Sequence, residues 1–189
     1  MITIHDRSAR DFTASGLAVL DRHVIDPTVS QELNGKFSLT FSYPIDGPSA
    51  SLLVIENIVA APVPGINVRQ GFRISEVTTS LDGILEVVAH HVFYDLSANL
   101  IADTYVVNKT AKQALDQLLG AANSPHGFSA SSSDNSRRSS ARIVRTPLSG
   151  ALLDDGDNSF ISRWGGEFTF DNWHMHLCAA RGGYASYRK

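Results

Sequence analysis

The chain has 189 residues, of which 43% are hydrophobic and 19% charged, and its formal net charge is -3 at pH 7. This composition is typical of a globular protein, and the length suffices for one large domain or two small ones. The weakly negative net charge lacks the excess of positive charge that would indicate binding to nucleic acid or to anionic membranes. The single cysteine, Cys178, excludes an internal disulfide framework and a cysteine-based zinc site.

The start of the chain lacks the apolar core of a signal peptide. No run approaches the ~20 apolar residues that a membrane-spanning helix needs. We therefore expect synthesis in the cytoplasm without a signal peptide or membrane segment, and export, if any, by another route such as release at lysis.

Residues 1–105 are predicted to be mostly β. The clearest strand is Lys36–Tyr43, in which aromatic and aliphatic residues alternate with serine and threonine, so that one face is buried and the other solvated. Asn34 and Gly35 predict a turn before this strand, and Pro44 predicts its end.

A second pair of β-rich runs, Arg69–Thr79 and Ile84–Tyr94, is joined by Leu81-Asp82-Gly83. Asp-Gly between such runs indicates a hairpin. Many short strands punctuated by glycine and proline predict a barrel-like or sandwich-like antiparallel sheet.

Residues 106–189 predict a small α+β domain. A helix is expected over residues 110–122, with Asn108 or Thr110 as its N-cap, because apolar residues recur there at helical spacing. The serine-rich segment 124–140 predicts an exposed loop with a strand fragment around Phe128.

Residues 158–180 predict a short helix followed by a hairpin. Asn158 or Ser159 can cap the helix, and Gly165-Gly166 ends it. Two alternating runs then flank Asp171-Asn172, residue types that tolerate the positive φ of a primed turn.

One polar pattern in this hairpin could bind a metal ion. His174, His176 and Cys178 share one face of the predicted strand, and His90-His91 could add ligands if the two strands were neighbours. The opposite face carries apolar residues, and the spacing is less specific than a helical HExxH motif. The pattern is therefore better explained as a solvated strand face.

Two charged patterns give even weaker evidence of a binding site. Asp154-Asp155-Gly156-Asp157 is acidic enough to suggest calcium, but it lacks the spacing and terminal glutamate of an EF-hand loop. A loop connecting two helices explains it better. Arg137-Arg138 is too short for a nucleic-acid patch.

The serines and histidines include no GxSxG motif that would indicate a hydrolytic triad.

Four aromatic residues could form a platform that stacks on a sugar: Trp164, Phe168, Phe170 and Trp173. Aromatic residues at these spacings more often belong to a hydrophobic core.

Three groups of motifs resemble one known family, and they occur here in the same order. They are LNGKFSLTFSYP (Leu33–Pro44), FRISEV followed by AHHVFYDLSANLI (Phe72–Val77 and Ala89–Ile101), and the segment Ser159–Gly182. Together they resemble the N-terminal region of phage and prophage minor structural proteins, the tail-associated endopeptidase-tail (Tal) proteins of siphophages that infect Gram-positive bacteria. The resemblance covers nearly the whole chain except the serine-rich segment.

The resemblance implies a baseplate-hub-like architecture, with a barrel-like domain over residues 1–105 and a small α+β domain over residues 106–189. It implies a homotrimer at the tail tip of the virion that closes the tail tube and attaches to the ring of distal tail protein. The tape-measure protein and the tail tube are further candidate partners. Family members usually continue into additional domains, so we expect this chain to be truncated at its C-terminal end. Contacts with host-wall glycan would then belong to the missing region.

No catalytic motif of the family can be matched residue by residue. We therefore predict no catalytic, cofactor-binding or metal-binding residue and expect this span to be non-enzymatic, although a C-terminal extension could carry a cell-wall hydrolase. Two alternatives remain open. One is a tail-associated peptidoglycan hydrolase (endopeptidase), and the other is a host-wall carbohydrate-binding module that uses Trp164 or Trp173.

Overall fold

The structure is a computed structural model that describes residues 1–154 and 156–179. The chain divides into two compact units, Met1–Val92 and Phe93–Lys189. The division lies earlier than the boundary suggested by the sequence at residue 105, because that position falls inside a strand of the second unit, Leu100–Thr110.

Residues 1–92, all of them described, form one antiparallel sheet. Its strands are β1 (Thr3–His5), β2 (Ala18–Val19), β3 (Ile25–Gln31), β4 (Phe37–Pro44), β5 (Ile58–Ala61), β6 (Gln70–Thr79) and β7 (Ile84–His91). They are ordered β2-β1-β5-β6-β7-β4-β3, and the sheet curls into a half barrel. This arrangement confirms the prediction of a barrel-like antiparallel sheet. A 3₁₀ turn at Ala50–Leu52 precedes β5, and a second at Val92–Ala98 follows β7.

Strand β4 shows how the sequence builds this sheet. Phe37, Leu39, Phe41 and Tyr43 are all at most 3% exposed, while Thr40 and Ser42 between them are half-buried. Period-two alternation therefore commits one face of the strand to the core, as the sequence predicted. Asn34, with a φ of 50°, forms the turn before it.

A buried polar pair lies within this aromatic core. His91 is fully buried, and its Nε2 and the Oε1 of Gln70 are joined by a hydrogen bond of 3.1 Å. The ring of Phe37 stacks on the His91 imidazole at 4.5 Å, and Phe72 meets it edge-on at 5.7 Å. Burial lowers the pKa of His91 from 6.5 to about 3, so the imidazole is neutral at physiological pH.

The second unit combines helices with two small sheets. Its described elements are β8 (Leu100–Thr110), α1 (Ala111–Gly120), β9 (Ser129–Ser132), β10 (Arg138–Pro147), α2 (Leu148–Leu153), α3 (Phe160–Trp164), β11 (Glu167–Asp171) and β12 (His174–Cys178). Strands β8 and β10 form an antiparallel ribbon, and the other sheet has the order β11-β12-β9, with β9 parallel to β12. The predicted α+β character of this part is confirmed.

Capping residues set the helix boundaries. Thr110, rather than Asn108, caps α1, and it forms a capping box with Gln113. Asn108 instead adopts a φ of 46° within β8, and its N–H donates to Ser140 Oγ at 2.9 Å. Ser159 caps α3, and Gly165 ends it with a φ of 73°.

The serine-rich segment differs from the prediction of an exposed loop. It contains β9, which pairs with β12, and the first residues of β10, which pair with β8. The strand fragment expected around Phe128 is present as β9, whereas the start of β10 inside this segment was not predicted, since serine gives no apolar alternation to read. Strand β8 was also missed, because its consecutive apolar residues, such as Tyr105, Val106 and Val107, do not follow a period of two.

The hairpin turn lies one residue later than predicted. Asp171 pairs with His174, so the two loop residues are Asn172 and Trp173, and Asn172 has a φ of 52°. This register places Phe168 opposite Leu177, which keeps the apolar residues of both strands on one face. The predicted end of the hairpin at residue 180 and the C-terminal residues Ser186–Lys189 lie outside the described residues, as does Asp155.

In the part of the chain that the structure describes, every helix is too short or too polar to cross a membrane.

We predict that His91 makes the first unit sensitive to acid. The unfolded chain takes up a proton at this residue below pH 6.5, whereas the folded chain does so only near pH 3. The free energy of unfolding should therefore fall as the pH drops through this window, by up to about 1.4 kcal/mol per pH unit. His5, whose pKa is lowered by burial and by Arg69, contributes in the same direction.

The measurement is urea denaturation of the wild type and of H91F between pH 7 and pH 4. H91F should be less stable at pH 7 but should show a shallower pH slope. As a control, F72L changes the packing of the same core without removing a titratable group and should keep the wild-type slope. An unchanged slope in H91F would contradict the assignment.

Candidate assembly surface and polar sheet face

The β8–β10 ribbon presents large apolar side chains to solvent. Tyr105 and Val107 on β8 and Val144 on β10 are 62%, 53% and 46% exposed. The alternating residues Val106 and Ile143 are at most 4% exposed, and helices of the same unit pack on the ribbon. One face of the ribbon therefore covers the core of the unit, while the other remains open.

An ion pair lies among these exposed apolar residues. Arg142 is directly opposite Tyr105, and its Nε and Nη2 donate to the Asp103 carboxylate at 3.2 and 2.8 Å. These hydrogen bonds lower the pKa of Asp103 and raise that of Arg142. We call the exposed set Asp103, Tyr105, Val107, Arg142 and Val144 the ribbon face. Apolar side chains grouped with a few polar ones are typical of protein–protein contact sites.

The outer edge of the half barrel is less suited to contacts through strand addition. Strand β3 is the last strand on that side of the sheet and is mostly exposed. It contains Pro27, which cannot donate a backbone hydrogen bond, and its pairing with β4 shifts between Ile25 and Thr28. Proline and bulges are common means of preventing a sheet edge from recruiting another strand.

The polar face of the β11-β12-β9 sheet carries a hydrogen-bonded group of serine and histidine side chains. Ser129 Oγ lies 2.8 Å from His174 Nδ1, and Ser131 Oγ lies 2.8 Å from His174 Nε2. Ser131 Oγ also lies 2.8 Å from His176 Nδ1. The in-register pairing of β9 with β12 brings these four residues together, because His174 is opposite Ser129 and His176 is opposite Ser131. We call them the histidine–serine group.

Neutral imidazoles can form all three of these hydrogen bonds at once. A hydroxyl donates one hydrogen, so Ser131 can donate to one imidazole nitrogen while it accepts from the other. If His174 carries its hydrogen on Nε2, Ser129 donates to Nδ1 and Ser131 donates to His176. The reversed directions satisfy the group equally well.

The other predicted metal ligands do not join this group. His90 and His91 are on β7, which pairs with β4 and β6, so β7 and β12 are not neighbouring strands. Cys178 is half-buried and its Sγ donates to the Glu167 carbonyl at 3.4 Å. Within residues 1–154 and 156–179, no group of three or more His, Cys, Asp and Glu side chains is placed to hold a metal ion.

The strand alternation predicted for this hairpin is present. Met175 and Leu177 are at most 2% exposed, whereas His174, His176 and Cys178 are half-buried on the opposite face. The sequence did not indicate the serines. A possible signal was the matching spacing of Ser129-x-Ser131 and His174-x-His176, which only the parallel pairing of β9 with β12 makes meaningful.

Three of the four aromatic residues of the predicted platform belong to the core. Trp164 is 5% exposed, stacks on Phe160 at 5.1 Å, and donates through Nε1 to the Lys109 carbonyl at 2.9 Å. Phe168 and Phe170 are also buried, and Trp173 is half-buried. A sugar could therefore not stack on Trp164 without unfolding α3, and Trp164 is wrong as a glycan-binding residue.

The charged candidates lie in loops and at strand ends. Asp154 and Asp157 are exposed between α2 and α3, at an open depression of about 500 Å³. Arg138 Nη1 donates to the Asn108 carbonyl at 2.9 Å, so it fixes the end of the ribbon. Arg137 is exposed. The positions of Asp154 and Asp157 agree with the interpretation of a loop that connects two helices.

No protein-family model matches the chain, and no curated protein matches it in sequence. Solved structures do match. The prophage tail protein gp18 from Listeria monocytogenes EGD-e has a TM-score of 0.66 and 18% sequence identity, over 94% of this chain and 50% of that chain. The chain has the fold of a phage tail protein. The predicted resemblance is thereby confirmed at the level of the fold.

A second structure is the c3393 protein of E. coli, described as a component of the type VI secretion system with structural similarity to the T4 bacteriophage tail proteins gp27 and gp5. Its TM-score is 0.47, with 14% identity over 85% of this chain and 48% of that chain. The present chain thus spans about half the length of the solved structures that it matches.

We predict that Trp164 contributes to stability rather than to ligand binding. W164A should lower the free energy of unfolding by about 3 to 5 kcal/mol, because it leaves a cavity beside Phe160 and removes the donor to Lys109. W164F should lower the free energy of unfolding by less, about 1 to 2 kcal/mol. It keeps an aromatic ring beside Phe160 but leaves the Lys109 carbonyl without its donor. Urea denaturation at pH 7 measures both values. Equal stability of W164A and wild type would contradict this role.

Proposed function

We propose that the chain is a structural component of a siphophage tail tip, a hub that closes the tail tube beneath the ring of distal tail protein. The observation that carries the proposal is the fold shared with a prophage tail protein over 94% of the chain. A second line of support comes from ordered motifs that resemble Tal-type tail proteins, at Leu33–Pro44, Phe72–Val77, Ala89–Ile101 and Ser159–Gly182.

In this proposal the chain acts as a homotrimer in the virion, without catalysis by the described residues. The distal tail protein ring is the main partner, with the tape-measure protein and the tail tube as further partners. A hub works through its surfaces, and the ribbon face offers exposed Tyr105, Val107 and Val144 for a contact with a neighbouring subunit. Burial of such side chains favours association.

A peptidoglycan hydrolase is the second candidate, and one distance favours it. Ser131 Oγ lies 2.8 Å from His174 Nε2, as a serine nucleophile and its general base would. However, the other nitrogen of His174 faces the Ser129 hydroxyl rather than a carboxylate. The orienting acid of a serine–histidine–aspartate triad is therefore not in its place.

We predict that the untagged chain forms trimers and binds purified distal tail protein, as measured by size-exclusion chromatography with light scattering. The double variant Y105S/V107S should remain folded, because surface substitutions usually change stability by less than about 0.5 kcal/mol. It should nevertheless associate at least about tenfold more weakly, since two apolar contacts are lost.

The matched control is L81S, which removes a fully exposed leucine from the β6–β7 turn of the first unit and should leave association unchanged. A strictly monomeric chain that never binds distal tail protein would refute the hub proposal. In the same preparations, cell-wall zymography tests the alternative. Lysis by the wild type that disappears in S131A would favour the hydrolase.

A further inference from the structure

Two imidazole nitrogens of the histidine–serine group converge on one point. His174 Nε2 and His176 Nδ1 each lie 2.8 Å from Ser131 Oγ, so the two nitrogens are at most about 5.6 Å apart. Both side chains come from alternate residues of β12, which places them on the same face of the strand. Both side chains are half-buried on the polar side of the sheet, so neither is enclosed in the core.

We propose that His174 and His176 form a binding site for a divalent transition-metal ion with an affinity for imidazole, such as Zn²⁺, Ni²⁺ or Cu²⁺. Neutral imidazole is a common ligand of these ions, and metal–nitrogen distances are about 2.0 to 2.1 Å. The Ser131 hydroxyl now lies where the two nitrogens converge. Small rotations of the two histidine side chains would bring both nitrogens toward one ion, and the ion would then displace the Ser131 hydroxyl.

The surroundings favour an open site of modest affinity. Only two imidazoles converge, so water would complete the coordination of the ion. Asp171 is opposite His174 on β11 and Glu167 is opposite Cys178, which places negative charge on the same sheet. The Cys178 thiol, which donates to Glu167, does not join the imidazoles.

The structure also assigns opposite effects to two neighbouring residues. In this proposal His176 is a ligand, so H176Q should weaken Zn²⁺ binding by at least about tenfold. Mutation of residues that only hold a ligand in place already weakens metal binding by about tenfold or more. Ser131 competes for the same two nitrogens through hydrogen bonds. S131A should therefore bind the metal ion as tightly as the wild type or more tightly.

The experiment is isothermal titration calorimetry of the untagged chain with ZnCl₂ at pH 7.5, with heteronuclear NMR of the imidazole nitrogens as a second measurement. Wild type should bind one Zn²⁺ per chain, and the signals of His174 Nε2 and His176 Nδ1 should shift. H90Q, which alters the half-buried histidine of β7, is the matched control and should bind like the wild type.

Two results would overturn the proposal. One is the absence of Zn²⁺ binding by the folded wild type, which would leave the group as a hydrogen-bonded polar face only. The other is binding that H176Q retains in full or that H90Q abolishes, which would place the ion elsewhere. The NMR spectra distinguish a specific loss of binding from unfolding of the H176Q variant.

Discussion

One-sided burial of β-strands is the constraint on which the rest of this structure depends. In β4 and in the β11–β12 hairpin, alternate residues commit one face to the core and leave the other polar. The ribbon β8–β10 follows the same rule but leaves apolar side chains on its outer face. Because a core cannot use that face, it is available for contacts with other molecules. The proposed role in assembly is therefore based on this exposed apolar face of the β8–β10 ribbon.

The buried His91 of the first unit and Trp164 of the second both have hydrogen-bond partners within their own unit. His91 and Gln70 pair inside the aromatic core of the first unit, and the Trp164 indole donates to Lys109 in the second. Such groups are costly when they lack a partner, so these pairs restrict how the surrounding side chains can pack. They explain why conspicuous histidine and tryptophan residues need not mark an active site. His174 and His176 on the polar sheet face are half-buried instead, and they pair with serine hydroxyls.

Much of the fold could be predicted from the sequence because alternation and capping are local properties. Lys36–Tyr43, the β6–β7 hairpin and the helix that begins after Thr110 were all indicated by residue order alone. Strand β8 was not, and β9 was expected only as a strand fragment around Phe128, since exposed or serine-rich strands lack apolar periodicity. The histidine–serine group was also beyond prediction. It depends on β9 and β12 pairing in parallel although some 45 residues separate Ser129 from His174.

We propose that this chain is a building block of a phage tail tip. Cryo-electron microscopy of phage tails assembled with the chain should show three copies around the tail axis, adjoining the ring of distal tail protein, with the ribbon face buried against a neighbouring subunit. Tails whose density at this position is filled by other proteins, with this chain absent from the particle, would contradict it.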